Sequence, residues 1–167
     1  MAFKYTSDTF QISASAQETV VNTAFTSTIN LNLDSLSREI LVVQYVDLDI
    51  TTPDILPNTT TKMQCSLNNA NVGIVGLANP QGIAIASNSI VAGLAGDAVS
   101  FQNSEPRNGQ QAADIPLFIS ATDDLFLTVK GTANAAVLGL AQVRIFARRA
   151  RADADTYAAI LTAQFNS

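Results

Sequence analysis

The sequence predicts an all-β protein: a β-sandwich of jelly-roll type with one short inserted helix and a C-terminal helix. Three observations predict it. Apolar side chains recur with period two along most of the chain, the signature of strands with one dry face. Charged residues make up only 14% of the 167 residues, against a usual ~25%, and Thr, Ser, Asn and Gln fill the polar positions, which suits half-buried sheet surface. Proline-bearing and Asn-Gly-bearing stretches punctuate the apolar runs, giving about eight short strands separated by turns.

Taken in order, a first strand is expected over residues 10–15. Over residues 25–33 the odd positions Phe25, Ser27, Ile29, Leu31 and Leu33 alternate with Thr26, Thr28, Asn30 and Asn32, so one face is dry. Residues 40–50 place Ile40, Val42, Gln44, Val46, Leu48 and Ile50 on one face and Leu41, Val43, Tyr45, Asp47 and Asp49 on the other. Such a strand is central at its start and wet on one face at its end. Residues 52–58 hold Pro53 and Pro57, which cannot donate to a ladder, so a loop leaves the sheet there. Met63, Cys65 and Leu67 alternate with polar residues and read as a further strand.

Asn79-Pro80 has the form of a helix start, and Ile83, Ala86, Ser87, Ile90, Val91 and Leu94 follow at helical spacing, which predicts the inserted helix. Strands are then expected at 98–102, 115–120, 125–130 and 135–147. A polar loop at 103–114 carries Pro106 and Asn108-Gly109, a pair suited to positive φ. Asp153 or Asp155 caps the last helix, 153–165, whose apolar stripe is Tyr157, Ile160, Leu161 and Phe165. No composition shift or repeat divides the chain, so residues 1–167 form one domain. A mixed α/β fold is the alternative, because 70–98 has room for more helix.

The residues that are missing exclude several chemistries. There is no His, hence no Ser-His-Asp or Cys-His pair and no imidazole base. The single Cys65 makes neither an internal disulfide nor a cysteine zinc site. No apolar run reaches signal-peptide or membrane-span length, so a soluble protein made in the cytoplasm and not an integral membrane protein is expected. The residues 73–76 lack both dinucleotide and P-loop spacing, and no Ser-x-x-Lys occurs. The Asn58-Thr59-Thr60 sequon reads as chance in a chain without a leader. No enzyme activity, cofactor or metal is expected, and a net charge of -5 argues against direct nucleic acid binding.

The chain resembles viral structural proteins, the single jelly-roll capsid or capsid-associated subunits of icosahedral viruses. Its size, the strands at 40–50 and 135–147, and the loops rich in Thr, Asn, Ala and Gly carry the resemblance. The resemblance implies a virion location, self-assembly and contact with other virion proteins. One departure is the start of the chain, where Lys4 stands in place of a basic genome-holding arm.

Three clusters are candidates for function. Asp47 and Asp49 with Asp54 offer oxygen ligands for Ca²⁺, against a solvated strand end and turn, which the absence of EF-hand spacing favours. Asp123-Asp124, with Glu105, is the nearest approach to an acid–base pair, but neighbours in a strand point to opposite faces and a hairpin turn is the better reading. Arg144, Arg148, Arg149 and Arg151 form the one concentration of charge. They serve either as a phosphate site or, the favoured reading, as partners of Asp153, Asp155 or a neighbouring subunit's carboxylates. The low charge and the small residues Ala154, Ala158, Ala159 and Thr162 opposite the terminal stripe predict a homo-oligomer: a trimer, a pentamer or a larger shell. The rival reading is a ligand- or carbohydrate-binding module on a fibre or cell surface, against which the absence of Trp counts.

Overall fold

The computed structural model describes residues 3–76, 78–95, 97–105 and 115–165. Along these residues run β1 (Phe3–Tyr5), β2 (Phe10–Gln17), β3 (Phe25–Asn30), β4 (Glu39–Ile50), β5 (Thr60–Asn68), β6 (Gly82–Ala92), β7 (Ala98–Glu105), β8 (Phe118–Ser120), β9 (Asp124–Thr132), β10 (Leu140–Ala152) and α1 (Ala154–Phe165). Residues 106–114 of the second polar loop and the side chains of Glu105 and Phe165 lie outside the described residues.

The strands form two antiparallel sheets packed face to face. In the first, β10 holds β4 on one edge and β2 followed by β1, end to end, on the other, with β8 beyond β4. The second runs β3-β9-β5-β6-β7. Four of the pairings are nested, outermost with outermost: β2 with β10, β3 with β9, β4 with β8, β5 with β6. Rolling one long hairpin so that successive pairs fall alternately in the two sheets gives the order β2-β10-β4-β8 over β3-β9-β5-β6. That is a jelly roll, with β1 and β7 added at its margins.

Leu41, Val43 and Ile145 from the first sheet meet Leu67, Leu125, Leu127 and Val129 from the second between the layers, each buried side chain contributing about 1.5–3 kcal/mol. A second, smaller core lies on the outer side of the first sheet. There Ile40, Val42, Ala150 and Ala152 are covered by Phe3, Tyr5, Ile119, Tyr157, Ile160 and Leu161. This explains why Ile40, Leu41, Val42 and Val43 are all apolar: both faces of β4 are dry at its start.

Three expectations are corrected. Residues 83–94 are not helical. Asn79 closes a single turn, its Oδ1 accepting from Gln81 N at 2.9 Å and its carbonyl from Gly82 N at 2.9 Å, and β6 then runs between β5 and β7. Ala84, Ala86, Asn88, Ile90 and Ala92 are buried at period two, so a sheet neighbour on each side overrides the helical spacing. The last strand does not begin at Ala135 but at Leu140, because 133–139 are drawn into a loop by side chains described below. Finally, β4 does not keep one parity. Phe146 pairs with Tyr45 but Ala147 with Val43, so Gln44 is an extra residue, a bulge that exchanges the faces. Leu41 and Val43 point inward before it, Val46, Leu48 and Ile50 after it, leaving Tyr45, Asp47 and Asp49 outside.

Two carboxyl groups hold the loop that enters β10. Glu18, 2% exposed, accepts from Gly131 N at 2.7 Å and Gly139 N at 2.8 Å. A Cβ on Gly131 would stand 2.9 Å from Asn134 Nδ2, and one on Gly139 would stand 3.1 Å from Val129 Cγ2, so a side chain at either position would have to displace its neighbours. Asp54, delivered by the proline loop, accepts from the amides of Ala135, Ala136 and Val137 at 2.8, 2.9 and 3.1 Å. Those amides, Ala136 first, hold its carboxyl below the ordinary 3.8. Asp54 is thus committed to backbone rather than to a cation.

Glu18→Ala strands two amides, costing about 1–3 kcal/mol each. Glu18→Gln should also destabilise, since one acceptor becomes a donor, and urea unfolding midpoints measure both. Because folding lowers the pKa of Asp54, its stabilisation is complete above pH 3.8 and is lost as pH falls through the folded value. The melting temperature of Asp54→Asn should therefore fall less steeply below that pH than the wild type's.

Candidate functional site

The outer face of the first sheet is divided by α1. Asp153 caps the helix, its Oδ1 accepting from Thr156 N at 2.8 Å, which holds the carboxyl below its usual value. Gln164 clamps the far end, donating from Nε2 to Ile119 O at 3.0 Å and accepting from Ala121 N at 3.1 Å. Tyr157, Ile160 and Leu161 therefore serve this chain's own second core. What α1 leaves exposed is Ala154, Asp155, Ala158, Ala159, Thr162 and Ala163.

Beyond the helix the sheet is bare and polar. Ser13, Arg144 and Asp47 lie in one cross-strand row, and Ser15, Gln142 and Asp49 in the next. They line an open depression of about 720 Å³. Tyr45 and Phe146, ring centroids 5.7 Å apart, stand at its boundary with the covered half. This row of alternating donors and acceptors is suited to hydroxyl-bearing ligands.

The four arginines do not converge. Arg149 points to the inner side, where Nη1 meets Glu39 Oε2 at 2.7 Å and Asn32 O at 3.2 Å, and Nη2 meets Leu31 O at 2.9 Å. It ties the β3–β4 connection to β10. Arg148 lies on the outer side with its guanidinium 3.9 Å from the centroid of the Tyr5 ring and Nε donating to Ser7 O at 3.3 Å. Arg144 and Arg151 are exposed on opposite faces, roughly 20 Å apart along the strand. Arg149 thus has a carboxylate partner within the chain, but it is Glu39 rather than Asp153 or Asp155.

Little nucleophilic or metal chemistry is placed together. Cys65 is buried, and burial pushes its thiol up to about 12, which leaves it protonated. Among the described residues no three His, Cys, Asp or Glu side chains gather as a metal site, and no helix is long and apolar enough to cross a membrane. Asp123 serves structure: its carbonyl accepts from Leu31 N at 2.6 Å and its Oδ1 from Leu33 N at 3.1 Å.

The surface missed by sequence reasoning is the β7 margin of the second sheet, beyond which no further strand pairs among the described residues. Val91 and Val99 are directly opposed across β6 and β7, with Phe101 two residues on, and they are 44%, 57% and 58% exposed. The helix assigned to 83–94 hid it. The β-branched content of that segment and the alternation at Val99 and Phe101 were the available signals. Comparison with family models, curated proteins and solved structures finds no match to this chain.

Arg149→Ala should cost about 2 kcal/mol, three charge-assisted contacts discounted for partial exposure. Arg144→Ala and Arg151→Ala should each change stability by less than about 0.5 kcal/mol. Equal losses at all three, measured by urea unfolding, would contradict this division.

Proposed function

We propose that the chain is a non-enzymatic assembly subunit of a virus particle, a capsid or capsid-associated protein that self-associates through low-charge surfaces. The observation that carries the reading is the nested strand order. A single jelly roll is an architecture that recurs in viral capsids, and the step from sandwich to shell is an analogy of fold. The surface supports it as well. Exposed Val99 and Phe101 at a sheet margin and a charged fraction of 14% are poorly suited to an isolated soluble monomer and well suited to subunit contacts.

A second reading, a carbohydrate-binding module, is favoured by the polar depression beside Tyr45 and Phe146, since jelly rolls also recur among lectins. Glycan binding abolished by Asp47→Ala, in a protein that remains monomeric, would replace the first reading with this one.

For the assembly reading, sedimentation velocity at micromolar concentration over a range of salt, with negative-stain microscopy, should show rings of three or five copies or larger shells. A single monomeric species indifferent to concentration and salt would overturn it.

A further inference from the structure

The margin of the second sheet ends on β7, whose backbone pairs with β6 on one side and with no described strand on the other. Natural edge strands are usually protected by charge, proline or brevity. Residues 98–103, Ala-Val-Ser-Phe-Gln-Asn, contain neither charge nor proline, and β7 is eight residues long. On its outer face Val99 and Phe101 are more than half exposed, next to Val91.

We infer that β7 is the docking edge for β7 of a second copy of this chain, joined antiparallel about a two-fold axis at Ser100. The inference deepens the assembly reading above and rests on it for its biological setting. A strand edge is self-complementary under such an axis, because the N–H donors of each copy meet the C=O acceptors of the other. Side chains opposed across an antiparallel pair share a face, so the register must bring odd positions to odd and even to even. With the axis at Ser100, Val99 faces Phe101 of the second copy and Phe101 faces its Val99, forming one apolar strip. Ala98 then faces Gln102, and Asp97 faces Asn103. Moving the axis to Phe101 would set Val99 against Asn103 and break the apolar strip. Moving it to Val99 would set Asp97 against Phe101. Apolar matching therefore selects the Ser100 register. The two five-stranded sheets would become one continuous sheet of both copies.

The register makes one position diagnostic. Opposed residues in an antiparallel pair have Cα atoms about 4.5–5.5 Å apart, within the ~4.4–6.8 Å span of a disulfide. Ser100→Cys in the full chain should give a covalent dimer under mild oxidation, with the native Cys65 silent because it is buried. Gln102→Cys, whose opposite is Ala98, should cross-link at least tenfold less. Phe101→Lys in the Ser100→Cys background should reduce the dimer by a similar factor, since it sets a charge in the apolar strip. Equal cross-linking of the two cysteine variants, or none at Ser100→Cys, overturns the inference. If the wild type forms particles and Ser100→Cys within them does not cross-link, this edge is wrong while the assembly reading stands. If the wild type forms dimers but nothing larger and Ser100→Cys cross-links selectively, the edge is right and the shell reading fails.

Discussion

Everything in the first sheet depends on β10 being held along both edges. One edge takes β4 over the whole pairing from Ala141 to Arg151, and the other takes β2 and then β1. A strand in that position must enter the sheet at a fixed height, and its entry is set by carboxylates rather than by packing. Glu18 grips the amides at both ends of the β9–β10 connection, Gly131 and Gly139, while Asp54 gathers the three amides between. Gly131 and Gly139 are buried, where an unpaired amide would be costly. The proline loop, 52–58, is thus in part a structural clamp.

The same strand carries the division of the outer surface. Along β10 the inner side holds Ala141, Val143, Ile145 and Ala147, then turns polar at Arg149. The outer side begins with Gln142 and Arg144 and ends with Ala150 and Ala152 under α1. The arginines sit at this crossing, which is why they are adjacent in sequence and separate in space. Arg149 closes the sandwich end through Glu39, and Arg148 lies on Tyr5 at the helix border. Alternate side chains of one strand belong to two environments.

The bulge at Gln44 is the counterpart on β4. Without the extra residue, the parity that buries Leu41 and Val43 would have turned Val46, Leu48 and Ile50 to the outside and Asp47 and Asp49 into the core. A single inserted residue keeps both halves of the strand dry on the side facing the second sheet. It also leaves Asp47 and Asp49 opposite Arg144 and Gln142 in the open depression.

The sequence by itself determined the all-β class, the terminal helix and its cap, the proline loop, and the dry face of β5. Each of these is encoded locally: period two, a capping carboxylate, or a residue without an N–H. It also held the alternation of the arginines, but not their partners. Only the tertiary structure decided that 82–92 is a strand, since Ile and Ala at those spacings satisfy either period and the choice falls to β5 and β7 beside it. Only the tertiary structure placed the bulge, committed Asp54 to backbone amides, turned the helix stripe inward and left Val99 and Phe101 uncovered. Each of these is a contact between segments distant along the chain, and a pattern read from neighbours in sequence carries no record of which distant surface will be opposite.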